Sequence, residues 1–366
     1  MTDTRMRLWL LGAVILAVIG VIAVLEMQKA GTGGSGGDFA AVDIVPREDK
    51  DGKYEPAAEI VNPSGFLNTE PVRLADFIGK KVVMVDFWTY SCINCQRTLP
   101  YLNGWWEKYK DEGLVILGVH TPEFDFEKDL GNVRRAADKY GVEYPIILDN
   151  DYSTWRAYRN RYWPRKYLID IDGYIVYDHI GEGGYEETER VIQRLLAERA
   201  ERHGEPMEVA GGVVDPGRVE EAPRGFSVTP EIYFGSSRNS SFLGNQPVGS
   251  GFQAPSDYKR DHFYLDGNWV IAPEYAESGE GETRIILPYR ARKVFMVAEA
   301  DGTAEVEVLI DGQPVGELSG GDVVRGQVEI GDADLYRLVE DEEVGEHLLE
   351  LIIRNPGFKA FTFTFG

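Results

Sequence analysis

Val82-Val83-Met84-Val85-Asp86-Phe87-Trp88-Thr89-Tyr90-Ser91-Cys92-Ile93-Asn94-Cys95 decides how this chain is read. Its first half is rich in β-branched and aromatic residues, with Asp86 set among them, which predicts a strand buried on both faces over 81–88. Beyond Cys95, helical spacing runs through Leu99, Leu102, Trp106 and Tyr109, with Gly113 just past the end of a helix expected over 97–110. The C-x-x-C therefore sits where a buried strand hands over to a helix. Cys92 and Cys95 are also the only two cysteines in 366 residues. Committing the entire thiol supply to one such junction points to dithiol chemistry, with a disulfide that can close within one helical turn.

The attacking species in such chemistry is a thiolate. Helix N-termini supply N–H groups and a dipole that stabilise it, and thiol pKa values in C-x-x-C motifs fall to roughly 3.5–7.5. Cys92 is accordingly expected to be the exposed nucleophile and Cys95 the buried resolving thiol. Asp86, set among Val85, Phe87 and the sulfurs, would have its pKa raised by burial and suit proton shuttling. Three alternatives compete. A zinc knuckle needs a second ligand pair, which the five histidines do not provide. A structural disulfide across four residues would stabilise little. A peroxidase is suggested because Thr89-x-x-Cys92 resembles the core of peroxiredoxins, but Val85 stands where those sites carry proline.

Around this centre the chain divides. Leu8 to Leu25 is uncharged, preceded by Arg5 and Arg7, and would span roughly 27 Å as a helix. With the basic flank inside, the remainder is expected outside the cytoplasm, with a cleaved signal peptide as the competing reading. The expected order is a membrane anchor over 1–30, a Gly/Ser-rich linker over 31–59, an α/β domain over 60–203, a linker over 204–228 and an all-β domain over 229–366. The α/β unit reads strand-helix-strand-helix-strand-strand-helix. It includes an edge strand at Glu70–Leu74 and a hairpin across Ile171-Asp172-Gly173. The last part shows short strands between Gly/Asp/Asn turns, which predicts a jelly-roll-type β-sandwich. A net charge of −23 offers no basic stripe for nucleic acid.

The stretch Val85 to Cys95 resembles the active site of the thioredoxin superfamily, and Phe66 to Gly79 is similar to its TlpA/ResA-like branch. Trp88 to Cys95, Gly118 to Phe124, Leu148 to Asp151, Arg161 to Asp170, Gly181 to Gly183 and Phe361 to Gly366 resemble the extracytoplasmic part of DipZ proteins, which covers nearly everything from residue 60 onward. The resemblance implies that Asp86 accepts the proton of the resolving thiol and that Pro164 is a cis-proline facing the disulfide. Trp163, bulky where relatives carry a small or β-branched residue, would restrict access, and Trp88 would cover the sulfurs. Glu123, after the second apolar strand, is a candidate second acid, with a solvated loop residue or helix cap as its alternative.

No cofactor or metal is implied. DipZ proteins carry a multi-span electron-conducting domain, whereas this sequence offers one candidate span, so a CcdA/DsbD-like membrane donor is the expected partner. Exported thiol or disulfide proteins, apocytochromes c among them, are the expected substrates. The β-sandwich resembles the carbohydrate-binding-module-like domain of DipZ proteins. Trp269, Tyr275, Tyr258 and Tyr264 would stack on a glycan, and docking of a protein is the alternative. The expectation is a thiol–disulfide oxidoreductase anchored in the cytoplasmic membrane. A peroxiredoxin-like peroxidase and a binding scaffold with a vestigial redox fold are the competing readings.

Overall fold

The computed structural model describes residues 50–206, 211–217, 219, 228–243 and 251–366. The expected anchor over Leu8–Leu25 and the Gly/Ser tether lie outside the described residues, as does much of the linker over 204–228. Among the described residues no helix is long and apolar enough to cross a membrane.

The first part is a mixed sheet with helices. Its strands are β1 (Glu55–Pro56), β2 (Gly65–Leu67), β3 (Val82–Trp88), β4 (Leu114–His120), β5 (Ile146–Leu148), β6 (Arg165–Ile169) and β7 (Tyr174–Ile180), in the order β1-β7-β6-β3-β4-β5-β2. β3 is central, parallel to β4 and antiparallel to β6. Every residue of β3 and β4 is buried, which is why both read as mainly apolar, with Asp86 and His120 the titratable exceptions. The helices are α1 (Ile93–Tyr109), α2 (Leu130–Tyr140), α3 (Ser153–Ala157) and α4 (Tyr185–His203). Val82, Met84 and Trp88 pack with Leu99, Leu102 and Trp105 of α1, Val133 of α2 and Ile192 and Leu195 of α4. Val83, Val85 and Phe87 face the opposite way, onto Ile60, Leu74 and Tyr158.

One expectation for this part is corrected. Glu70–Leu74 is not a strand; a 3₁₀ turn spans Leu74–Asp76 and the edge strand is β2. The N–H groups of Leu74 and Ala75 donate to the Glu59 carboxylate at 2.5 and 3.1 Å, so a side chain takes the donors a ladder would need.

The second part is all-β, with strands β8 (Ile232–Tyr233), β9 (Tyr264–Asp266), β10 (Trp269–Ile271), β11 (Ala276–Ser278), β12 (Thr283–Ala300), β13 (Ala304–Ile310), β14 (Gln313–Pro314), β15 (Val323–Val324), β16 (Gln327–Ile330), β17 (Asp334–Ile353) and β18 (Phe358–Phe365). Hydrogen bonds join them into one 11-stranded sheet, so this part is all-β as expected. β12 and β17 pair along nearly their whole lengths and carry the sheet through a corner. Register shifts between Ala291/Lys293 and Val294/Phe295 mark it. Before the corner Ile285, Leu287, Tyr289 and Ala291 point into the core; after it Val294, Met296 and Ala298 do, so the bulge rephases the alternation.

Candidate active site

Cys92 caps the N-terminus of α1 with extended backbone (φ −78°, ψ 118°), and its carbonyl accepts from Gln96 N at 3.0 Å. The first-turn N–H groups of such a helix have no partners within it and face whatever sits at the cap. Both cysteines are free thiols, Cys92 half-buried and Cys95 buried. Burial, followed by a hydrogen bond with the Cys92 sulfur, drives the Cys95 thiol well above its ordinary pKa. Cys95 therefore needs a base to act.

Asp86 is a buried carboxylate whose charge acts on the Cys95 thiol. It lies on β3, wholly buried, and neither oxygen has a hydrogen-bond partner among the protein groups. Burial pushes its pKa up to about 7, against the opposing pull of the Lys166 charge. Lys166 stands opposite Asp86 across the β3–β6 ladder, is itself wholly buried, and donates from Nζ to the Gly181 carbonyl at 3.1 Å. Burial lowers its pKa, while Asp86 and Cys95 oppose that. On the other side of Asp86 the ladder places Gly118, where a Cβ would come 2.9 Å from the Tyr144 ring and 3.0 Å from Trp88 Nε1. Glycine there lets Trp88 and Tyr144 pack beside the carboxylate.

Trp88 is fully buried, in the same apolar cluster as Cys95, and edge-on to His120 at 5.1 Å. Burial holds the His120 pKa down at about 3, so its ring is neutral at physiological pH. The Trp163–Pro164 bond is cis. Arg165 pairs with Phe87, which sets Pro164 at the end of the sheet where β3 leads into the C-x-x-C. Trp163 is half-buried, donates from Nε1 to the Thr121 carbonyl at 3.0 Å and packs on Trp155 at 4.3 Å.

Glu123 is committed elsewhere than to the sulfurs. Its carboxylate accepts from Tyr233 Oη at 3.0 Å and Arg238 Nη1 at 2.9 Å, both in the second domain. The carboxylate that organises this end of the site is Glu127, which sequence reasoning missed. Fully buried, it accepts from Ser91 N and Oγ and from the N–H groups of Glu123 and Phe124, tying the approach to Cys92 to the loop after β4. Its signal was local: an acidic residue three positions into a turn, where it can reach back to N–H groups.

Ile93, between the two cysteines, is buried with Phe124 against Phe295, Val297, Leu335 and Phe361 of the second domain. Phe361 is the extra residue of a bulge, since Val297 pairs with Thr362 and Ala298 with Ala360, and its ring packs against Phe124 and Phe126. Tyr90 Oη donates to the Ala333 carbonyl at 3.3 Å, and Arg97 lies over the Phe295 ring. Of the four aromatics expected to stack on a glycan, Trp269 and Tyr264 are buried and Tyr275 packs on Phe361, leaving Tyr258 exposed.

Among the described residues, Asp170, Asp172 and Glu198 lie close enough to hold one ion. The Lys50 ammonium takes that place, donating to all three at 2.7–2.8 Å.

Residues 55–178 match the AhpC/TSA family and residues 229–366 the thioredoxin-like C-terminal domain. DipZ of Mycobacterium tuberculosis is 37% identical over 316 residues, 85% of this chain and 43% of that protein, so the chain spans under half the length of that relative. The thiol-disulfide oxidoreductase YkuV of Bacillus subtilis is 31% identical over 144 residues, 39% of this chain and 96% of YkuV. The thiol-disulfide oxidoreductase ResA of Bacillus thuringiensis is 30% identical over 129 residues, 35% of this chain and 71% of ResA. A strand-to-helix C-x-x-C over a buried carboxylate, with two such relatives covered over most of their length, makes the chain a member of the thioredoxin-like thiol–disulfide oxidoreductase family.

Proposed function

We propose that this protein exchanges disulfides with exported proteins outside the cytoplasmic membrane, tethered by the Leu8–Leu25 segment. The observation that carries the reading is the pairing of a half-buried Cys92 at a helix N-terminus with a buried Cys95 beside the partnerless Asp86 carboxylate. In the reductive direction the Cys92 thiolate attacks one sulfur of a substrate disulfide. The bond between the substrate sulfurs breaks, and the departing sulfur takes a proton. Asp86 then accepts the Cys95 proton, and Cys95 attacks the Cys92 sulfur of the mixed disulfide. The second substrate thiol is released and a Cys92–Cys95 disulfide remains. Two electrons pass to the substrate, and a CcdA/DsbD-like membrane donor would restore them. Apocytochromes c are the substrate class suggested by the resemblance.

The AhpC/TSA match gives a peroxidase reading some standing, but Thr89 is wholly buried with its hydroxyl 3.4 Å from His120 Nε2, and Cys95 shares the helix of Cys92. Those placements favour dithiol exchange. The test is reduction of insulin by the full chain with dithiothreitol as electron source. Turnover abolished by Cys92→Ser supports the reading, and equal turnover by that variant refutes it.

A further inference from the structure

Side chains of β3 alternate between two faces, and Val82, Met84 and Trp88 lie on the side packed by α1 and α4. By that alternation Asp86 shares their side. Next to it on β4 stands Gly118, whose N–H donates to the Pro145 carbonyl at 2.9 Å and so brings the preceding residue, Tyr144, against the ladder. A Cβ on Gly118 would come 2.9 Å from the Tyr144 ring and 3.0 Å from Trp88 Nε1, so both rings close over the glycine beside the carboxylate. Tyr144 is wholly buried, in the same cluster as Cys95. Its hydroxyl has no hydrogen-bond partner among the protein groups, and neither have Trp88 Nε1 and the two Asp86 oxygens. One carboxylate that can only accept thus shares a buried, mainly apolar surround with two unspent donors.

We propose that Tyr144 is a positioning residue of the resolving step: its hydroxyl is the donor to the ionised Asp86 carboxylate, and it sets the pH at which Asp86 can take the Cys95 proton. The inference rests on the function proposed above and adds a residue to it. Burial, followed by the Asp86 and Cys95 charges, drives the Tyr144 phenol well above its ordinary pKa. The phenol therefore keeps its proton across the working range and stays a donor. The other charged or titratable groups acting on Asp86 are Lys166 from β6 and Cys95 from α1, while α2 and α4 bring Val133, Ile192 and Leu195 to this cluster. Burial favours the protonated carboxyl, and a donor aimed at the charged form opposes it. Tyr144 thereby keeps the base poised for proton transfer nearer neutral pH.

Tyr144→Phe keeps the ring and removes the donor. The titration of Asp86 is followed on the oxidised full chain by the carboxyl resonance of isotope-labelled aspartate, assigned by its loss in Asp86→Asn. The midpoint should rise by about one pH unit in Tyr144→Phe. At the wild-type midpoint the ionised fraction then falls about fivefold, so release of a preformed mixed disulfide should slow about fivefold there and be unchanged about two units higher. Fluorotyrosine at the same position, a stronger donor on an almost unchanged ring, should lower the midpoint instead. A midpoint that neither replacement moves overturns the inference, as does a release rate slowed equally at every pH. If the unaltered chain releases no mixed disulfide while the midpoint moves as expected, the proposed function is refuted and the coupling of Tyr144 to Asp86 stands.

Discussion

Replacing Asp86 by Asn removes a buried carboxyl whose pKa stands at about 7 against an ordinary 3.8. In the folded protein the protonated form is favoured. Asp86 therefore contributes stability that is fully present below the unfolded-chain pKa and lost as pH rises through about 7. Some three pH units at about 1.4 kcal/mol each amount to about 4 kcal/mol. Loss of the carboxylate also leaves the buried Lys166 less well matched, which trims the gain at high pH to about 2–4 kcal/mol. The assay is urea unfolding of the oxidised protein, in which neither sulfur titrates, at about pH 5 and about pH 8.5. About two of those three units lie between the two conditions, so the Asn variant should gain about 1–3 kcal/mol relative to wild type from the first to the second. The same change should slow release of the mixed disulfide and erase its inflection near pH 7, because Cys95 loses its base. A stability difference independent of pH would refute the reasoning.

Lys166→Met withdraws the charge that holds Asp86 down, so the inflection in the release rate should move above pH 7; an unmoved profile would dissociate Lys166 from the site. Phe361→Ala empties the bulge between Phe124 and Phe126 and should cost about 3–5 kcal/mol by denaturant unfolding. It should also raise the accessibility of Ile93 in hydrogen exchange, and no change there would mean that the two domains are not coupled through this ring. Glu127→Ala leaves the N–H groups of Ser91, Glu123 and Phe124 without their acceptor and should cost about 2–4 kcal/mol, read the same way.

The candidate redox site was legible as a place in the fold because its determinants are local. A buried run, two cysteines and a helical period share some thirty residues, and β3 and α1 follow from them. Burial of Asp86 was likewise implied by its neighbours. Lys166 was not, because in sequence it is one of two adjacent cations that open a short strand, and only pairing of β6 with β3 sets it opposite Asp86. The cover over Ile93 left no trace, since its partners lie some two hundred residues on, on strands whose register is fixed by β12 and β17. Where the sequence predicts short strands, these two run 18 and 20 residues. Pro288 and the charged residues after it look like a break, yet Pro288 pairs with Leu348 and its carbonyl accepts from Asp261 N, so the missing N–H disrupts nothing.

The central claim is that Cys92 attacks and Cys95 releases. Cys95→Ser, incubated with a disulfide-bonded protein and analysed by intact mass, should accumulate a mixed disulfide on Cys92, while Cys92→Ser should accumulate none. An adduct on Cys95 of the Cys92→Ser variant, with none on its counterpart, would reverse the assignment and contradict the account.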